Sequence, residues 1–353
     1  MNAPILPETL VELVRHYSPS GQEADAVAYL VARMAALGFT ETFADEAGNA
    51  VGVLGSGARQ VVLLGHIDTV PGQIPIRREN NLLYGRGTVD AKGPLSAFVD
   101  AVAAVGPVEG WQFVVIGAVG EEQDSRGARH IAPRYRPEMA IIGEPSGWDR
   151  VTLGYKGSAW AQLTTRSPMS HTAGQGESAC ESAVRAWLVL QEWAAAFNAE
   201  RQKQFDRVTP TLRAMESGEE SFESWAALRV GARLPLDLPP RMWYAALRNL
   251  LPGVELTESG FAIPAYRAEK NTTLVRAFLS GIRSVRGQPG FVLKTGTADI
   301  NIVGPAWGCP AVAYGPGDSS LDHTPNEHLD LAEYHRAVDV LKAALRKIVI
   351  AAG

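Results

Sequence analysis

Continuously apolar stretches that alternate with helical segments constrain the fold of this chain most. The stretches at 61–64, 113–116 and 140–142 contain only apolar residues, which is typical of strands buried on both faces of a sheet. Residues 93–105, between the first two stretches, have the apolar spacing of a helix. This alternation predicts an α/β fold in which helices flank a mostly parallel central sheet.

Side chains that can bind metal ions or carry protons follow each apolar stretch. They are His66 and Asp68 after the first, Glu121 and Glu122 after the second, and Glu144 after the third. A charged group at the carboxyl end of a buried parallel strand has lost much of its water, so it is placed there for a ligand or a metal ion. With Asp90 and His323, the set offers the imidazoles and carboxylates that zinc and related divalent ions prefer.

The individual motifs also allow structural explanations. Asp68 shares a strand face with His66 and can accept a proton from its ring, although a lone His-x-Asp can also be a polar turn. Asp90 lies in a glycine-rich loop before a helix, where a residue of this type is more often a structural N-cap than a ligand. Glu121 and Glu122 repel each other unless a cation lies nearby. Because adjacent side chains point in different directions, one can bind metal while the other acts as a general base.

Glu144 and the carboxyl-terminal histidines allow similar alternatives. Glu144 lies between a glycine and a proline, so it can be a turn carboxylate or a ligand. His323 and His328 superficially resemble a zinc motif carried on one helix, but Pro325 lies between them and favours a loop. We therefore expect one histidine to bind metal from a strand end, and Glu327 to begin the following helix.

The order of the predicted elements divides the chain. Ser20 and Glu23 have the spacing of a capping box and predict that a helix begins there. Residues 158–265 follow the order β-α-β-β-α-β, which is that of a ferredoxin-like unit. We therefore expect a catalytic domain in two parts, 1–157 and 266–353, with a second domain inserted at 158–265.

Composition and charge argue against several classes of function. The chain has 353 residues, 46% of them hydrophobic, and its 33 basic and 38 acidic residues give a net charge of −5 without a long run of one sign. Nucleic acid is therefore not an expected partner. Cys180 and Cys309 form no Cys-x-x-Cys pair, which favours a reducing, cytoplasmic environment. We expect no secretory signal and no membrane span, since no stretch approaches about 20 apolar residues.

Four motifs, in family order, resemble those of the dinuclear zinc hydrolases that include N-acetylornithine deacetylase, succinyl-diaminopimelate desuccinylase, aminoacylase and glutamate carboxypeptidase. They are G-H-I-D-T-V-P at 65–71, the glycine-rich segment 85–93, G-E-E at 120–122 and G-E-P-S at 143–146, followed by His323. The resemblance spans nearly the whole chain and implies an amide hydrolase with two divalent ions, Zn²⁺ or Co²⁺. It also implies that the inserted domain is a lid and dimerisation domain.

The resemblance implies a set of metal ligands. Asp90 would bridge the two ions, His66 and Glu144 would complete one site, and Glu122 and His323 would complete the other. The peptide bond after the bridging aspartate is commonly cis in this family, which implies a cis bond after Asp90.

The resemblance also implies roles in catalysis and substrate binding. Glu121 would be the general base, and Asp68 would orient His66. His171, in S-H-T-A-G, would reach the active site of the partner subunit in a homodimer and stabilise the oxyanion, although alone it could be an exposed loop histidine. Arg233 would pair with a substrate carboxylate, the alternative being a surface salt bridge, and Thr297 would lie near the substrate pocket.

Segments 143–148, 153–157 and 294–300 most resemble one branch of the family. That branch releases lysine or ornithine from an acidic amino-group carrier protein in lysine or arginine biosynthesis. An N-acetylornithine or N-acetyllysine deacetylase, or a zinc dipeptidase or carboxypeptidase, is the alternative. A scaffold with a dead centre is disfavoured because every ligand and the base are present, and dehydrogenases and serine hydrolases are disfavoured because their glycine-rich and Gly-x-Ser-x-Gly motifs are absent.

Overall fold

The computed structural model describes residues 5–169 and 176–351, which form two compact units. The first unit contains the described residues up to Gly154, together with Ala268–Leu293 and the described chain from Ala298. The second unit contains the described part of Tyr155–Arg267 and the segment Lys294–Thr297. The sequence did not indicate that this last segment joins the second unit.

The helices and strands of the described residues are as follows. The helices are α1 (Glu8–Arg15), α2 (Ala24–Ala36), α3 (Lys92–Val105), α4 (Arg126–Ile131), α5 (Ala179–Asn198), α6 (Pro240–Leu250), α7 (Thr273–Ser284), α8 (Ile300–Trp307) and α9 (Leu331–Ala351), with short 3-10 helices at Gln204–Asp206 and Ser319–Leu321. The strands are β1 (Glu41–Ala44), β2 (Ala50–Leu54), β3 (Arg59–His66), β4 (Arg77–Glu79), β5 (Leu82–Tyr84), β6 (Trp111–Ala118), β7 (Met139–Gly143), β8 (Arg150–Tyr155), β9 (Gly157–Pro168), β10 (Thr209–Glu220), β11 (Glu223–Leu234), β12 (Glu255–Ile263), β13 (Tyr266–Arg267), β14 (Gly290–Lys294), β15 (Ala311–Ala313) and β16 (His328–Asp330).

The main sheet of the first unit is mixed. Its order is β1-β2-β6-β3-β7-β15-β8, with β14 beside β8. The predicted parallel arrangement holds for the central strands β6, β3, β7 and β15, which carry the continuous apolar stretches. The strands outside them pair antiparallel, β1 with β2, β2 with β6 and β8 with β15. A short turn joins β1 to β2, and a turn of this length allows only antiparallel pairing.

Helix α3 forms the centre of the core of the first unit. Leu95, Phe98, Val99 and Val102 are all fully buried, as the apolar spacing of this segment predicted. Full burial of each such side chain contributes about 1.5–3 kcal/mol to folding. No helix among the described residues is long and apolar enough to cross a membrane.

The second unit is ferredoxin-like, as predicted. Its antiparallel sheet has the order β10-β11-β9-β12, and α5 and α6 connect the strands in the sequence β-α-β-β-α-β. Helix α5 begins with a capping box in which Ser178 and Glu181 exchange hydrogen bonds. One face of the sheet packs on the two helices through residues such as Leu163, Leu228 and Trp243. The opposite face carries the alternate, more polar residues of β9 and β11.

Candidate active site

His66, the last residue of β3, is held with one ring nitrogen facing Asp90. Its side chain is buried, and Nδ1 lies 3.0 Å from the backbone carbonyl oxygen of Asp68. The carboxylate oxygen of Asp68 is farther away, at 3.5 Å, so the carbonyl is the nearer acceptor. Because Nδ1 donates to this carbonyl, Nε2 is left to face Asp90 Oδ1, 3.1 Å away.

The carboxylate of Asp68 binds the segment that carries the two glutamates. Asp68 is fully buried, and its oxygens accept the backbone N–H groups of Glu121 and Glu122, both at 3.1 Å, and the hydroxyl of Ser20 at 2.6 Å. Burial opposes its ionisation, but the nearby His66 ring and the hydrogen bonds from Ser20 and from the Glu122 backbone outweigh burial and lower the pKa of Asp68. Ser20 does not cap α2, which begins after Glu23 without a side-chain cap.

Asp90 lies between two histidines. Oδ1 faces His66, and Oδ2 lies 3.1 Å from Nε2 of His323, which also lies 3.0 Å from Oε1 of Glu122. Ligand atoms of His66, Asp90 and Glu122 all lie within 4.8 Å of one another. Hydrogen bonds to Asp90 and Glu122 raise the pKa of His323 to about 10. The Asp90-Ala91 peptide bond is cis, as the family resemblance implied.

Two sequence expectations about the carboxyl-terminal motif are wrong. His323 does not end a strand: it lies in a turn after the 3-10 helix Ser319–Leu321, with a φ of 62°. Glu327 does not begin a helix: it precedes β16, and α9 begins at Leu331. The strand forms because β16 pairs with β5, a contact between residues far apart in sequence.

Further buried carboxyl groups surround this contact cluster. Burial raises the pKa of Glu121 and of Glu144 well above the usual value, His66 opposes the shift, and neighbouring carboxylates add to it. Asp299 is a further member of this group, and its sequence signal was its place in the family-like segment 294–300 near the expected pocket. Asp299 is buried, its Oδ1 has no hydrogen-bond partner among the described residues, and burial raises its pKa to about 7.

These residues fit a divalent metal centre. Buried carboxylates raise one another's pKa values because like charges repel, and the imidazoles of His66 and His323 are the main positive groups that oppose this. Nitrogen and oxygen donors from histidine, aspartate and glutamate are the set that zinc and related ions bind. A cation among them would relieve the repulsion.

The predicted substrate-binding residues meet in the second unit. Nη1 of Arg233, near the end of β11, donates to Oγ1 of Thr297 at 3.1 Å. The segment Lys294–Thr297 belongs to the same unit as Arg233, which explains how residues distant in sequence come together. His171 lies outside the described residues.

Comparison with known proteins defines the class. The sequence model of peptidase family M20/M25/M40 matches residues 62–347, so the chain belongs to this family and is a metal-dependent hydrolase. A LysW-lysine hydrolase of Deinococcus radiodurans is 45% identical over 351 residues, covering 97% of this chain and 96% of that protein. A LysW-lysine/LysW-ornithine hydrolase of Sulfurisphaera tokodaii is 28% identical over 353 residues, covering 97% and 95%. The crystal structure of aminopeptidase PepT from Bacillus cereus is similar in fold, with a TM-score of 0.76, 18% identity and coverage of 98% and 99%.

Proposed function

We propose that the protein hydrolyses the amide that joins the α-amino group of lysine or ornithine to the terminal glutamate of the carrier protein LysW. The observation that carries the proposal is the cluster in which Asp90 joins His66 to His323 and Glu122, in a chain 45% identical to a LysW-lysine hydrolase. The 28% identical relative acts on both the lysine and the ornithine conjugate by its name, which supports including both substrates.

The same cluster supports the proposed metal ligands. His66 and Glu144 would hold one ion, Glu122 and His323 would hold the other, and Asp90 would be a ligand shared by both. Zn²⁺ fits this mixture of imidazole and carboxylate, and Co²⁺ is the alternative. When bound, two such ions lower the pKa of a shared water and polarise the amide carbonyl.

Glu121 is the proposed general base. Its backbone N–H is fixed by Asp68, and burial holds the pKa of its carboxyl group well above the usual value. A raised pKa suits a carboxylate that accepts a proton from the attacking water and then returns it to the leaving amine. The water oxygen forms the new bond to the carbonyl carbon, and the C–N bond breaks as the amine takes the proton. The products are the free amino acid and the carrier's glutamate carboxylate.

Replacement of Glu121 by glutamine tests this role. Glu121→Gln keeps the size of the side chain and removes the proton acceptor, so kcat should fall by about 10²–10⁴-fold while bound metal is retained. Exposed Glu109 provides the control variant Glu109→Gln, which should leave kcat unchanged. Hydrolysis of the carrier conjugate, of a short glutamyl-lysine amide and of N-acetyllysine should be measured in parallel. Full turnover by Glu121→Gln would remove Glu121 from its role, and a preference for N-acetyllysine would identify a deacetylase instead.

Arg233 is proposed to bind the carboxylate of the amino acid. The bond from Nη1 to Thr297 limits the positions available to the guanidinium group, whose fork matches a carboxylate. Arg233→Lys would keep the charge and lose the fork, so KM should rise. A KM equal to that of the wild type would contradict this role.

The open face of the second unit's sheet is the proposed docking surface for an acidic carrier. Trp160, Arg213 and Arg229 line a cavity of about 550 Å³ on this face together with Ser259 and Gly260. Both arginines are exposed, and neither has an acidic partner among the described residues. Arg233 lies on the same face, because residues 229 and 233 of β11 are an even number of positions apart.

Charge reversal tests the docking surface. Arg229→Glu should raise KM for the carrier conjugate and leave KM for the short glutamyl-lysine amide unchanged. Arg241→Glu is the matched control, because Arg241 is an exposed arginine on α6, in the helical layer of the same unit. Equal effects of Arg229→Glu and Arg241→Glu on the carrier conjugate would reject this surface.

A homodimer formed through the second unit is also proposed. Strand β10 is an edge strand that pairs only with β11 among the described residues, and Val184 and Leu188 of α5 are about half exposed. A long free edge and apolar side chains favour pairing with a second copy. In such a dimer His171 would serve the partner's site. Leu188→Glu should give a monomer by analytical ultracentrifugation, and a monomeric wild-type protein would refute the proposal.

A further inference from the structure

We propose that Glu327 is a positioning residue that fixes the orientation of Asp90. The inference rests on the ligand role proposed for Asp90, and it adds a residue that acts through the backbone of the glycine-rich loop. Glu327 is fully buried, although isolated buried carboxylates are costly. Its burial is therefore explained by the groups that it binds.

The loop that carries Asp90 is folded around the Glu327 carboxylate. Oε1 accepts the backbone N–H groups of Val89, at 2.9 Å, and of Asp90, at 3.1 Å. Oε2 accepts the backbone N–H of Gly87, at 3.1 Å, and Nη1 of Arg86, at 2.8 Å. Both oxygens thus accept two donors each, and one of these bonds is a buried ion pair.

These bonds determine where the Asp90 carboxylate lies. The backbone nitrogen of Asp90 is tied to Glu327, and only two rotatable bonds separate its Cα atom from its carboxylate oxygens. Each of those oxygens faces one imidazole, His66 or His323, at 3.1 Å. A small rotation of the loop would move both oxygens at once, so the alignment depends on the bonds to Glu327.

The chain geometry shows how the loop reaches the carboxylate. Gly87 has a φ of 87°, and a Cβ atom there would lie 2.9 Å from Cγ2 of Thr69, so glycine is required. Arg86 also donates from Nε to the carbonyl oxygen of Gly72 at 2.9 Å, which anchors the guanidinium.

One short segment contacts Asp90 from two sides. His323 contacts the side chain of Asp90, and Glu327, four residues later, contacts its backbone. The pairing of β16 with β5, together with the bond from the Gly85 N–H to the Glu327 carbonyl oxygen at 3.3 Å, fixes this segment relative to the loop. Glu327 therefore couples the position of the Asp90 carboxylate to the position of His323.

Zinc affinity tests the inference directly. Glu327→Gln keeps the shape of the side chain but replaces one acceptor oxygen with an amide donor that faces N–H groups. We expect the affinity of the metal-stripped protein for Zn²⁺, measured by competition with a chelator, to fall by about 10–100-fold, as it does when groups that orient ligands are removed. With saturating zinc, kcat should fall and KM should stay unchanged. Asp330→Asn is the matched control, since Asp330 accepts backbone N–H groups of α9 and no group of the Asp90 loop.

Two further variants separate the possible failures. Arg86→Gln removes the ion pair to Glu327 and the bond to Gly72, and it keeps the three backbone bonds to Glu327. It should therefore lower zinc affinity by less than Glu327→Gln does, and it decides the question if Glu327→Gln does not fold. Asp90→Asn should lose more affinity than either. If Asp90→Asn binds zinc like the wild type, the proposed ligand set is wrong. Two results would reject only the positioning role of Glu327. The first is that Asp90→Asn loses zinc affinity while Glu327→Gln, or a folded Arg86→Gln, keeps it. The second is that the control Asp330→Asn loses as much zinc affinity as Glu327→Gln.

Discussion

Replacing Asp68 with asparagine should destabilise the first unit by an amount that its hydrogen bonds determine. Oδ1 accepts the N–H of Glu121, while Oδ2 accepts the N–H of Glu122 and the hydroxyl of Ser20. An asparagine side chain has one acceptor oxygen and one amide donor. If the asparagine oxygen accepts the N–H of Glu121, the asparagine amide N–H₂ group faces the N–H of Glu122. The Ser20 hydroxyl can rotate and accept a hydrogen bond from that amide. One buried backbone N–H is therefore left without a partner.

The cost of that N–H gives the expected magnitude. A buried donor left unpaired costs about 1–3 kcal/mol, so the free energy of unfolding of metal-stripped Asp68→Asn should fall by about this amount at pH 7. The sign of the pH dependence follows from the lowered pKa of Asp68. A carboxyl group whose folded pKa lies below its unfolded value of about 3.9 stabilises the protein above that pH, and this contribution disappears as the pH falls through the folded pKa.

Urea unfolding of the metal-stripped proteins at several pH values is the measurement. The difference between wild type and Asp68→Asn should be constant from pH 7 to about 5 and should shrink below about pH 4. Asp124→Asn is the control, because Asp124 accepts a single backbone N–H, that of Arg126, near the surface. A wild-type urea midpoint for Asp68→Asn at pH 7, or a difference that grows on acidification, would refute the reasoning.

Three other outcomes follow from the structure. Removal of metal with a chelator should abolish amide hydrolysis, and added zinc should restore it. Zinc at about 100 times its Kd should stabilise the folded protein by about 2.7 kcal/mol for each ion bound, measured as a rise in Tm. Burial lowers the pKa of Lys156 to about 8, below its unfolded value, so wild type should gain stability relative to Lys156→Met as the pH rises from about 8 to 10 in urea titrations. Trp243 is fully buried in the second unit, so Trp243→Ala should cost that unit about 3–5 kcal/mol, measured by urea unfolding.

Local patterns predicted the elements that one stretch of sequence determines by itself. The apolar stretch at 61–64 lies inside β3, and the segment 93–105 lies inside α3. The ferredoxin-like order of the second unit could likewise be predicted, because buried and exposed residues alternate along strands such as β9 and β11. The functional residues at the strand ends could also be predicted locally. A charged residue directly after a buried strand has lost much of its water, so its position alone indicates a ligand or a metal ion.

Contacts between distant segments could not be predicted. Ser20 has the spacing of a helix cap, yet its hydroxyl binds Asp68, because the capping pattern does not show what else lies within reach. Glu327 was expected at a helix start, yet β16 pairs with β5 and turns its carboxylate to the Asp90 loop. In both cases a tertiary partner replaces the local one that the pattern predicted.

The register of the central strands explains how separate motifs reach one place. Gly65 of β3 pairs with Gly117 of β6 on one side and with Gly143 of β7 on the other, so three glycines form a row across the sheet. A Cβ atom at Gly65 would lie 3.1 Å from Leu95, and one at Gly143 would lie 3.0 Å from Phe98, so this row lets α3 pack closely on the sheet. His66 and Glu144 follow immediately after this row, and Glu121 follows four residues beyond Gly117. Parallel strands in this register end at the same edge of the sheet. The register that places the three glycines under α3 therefore also brings the residues of the candidate site together.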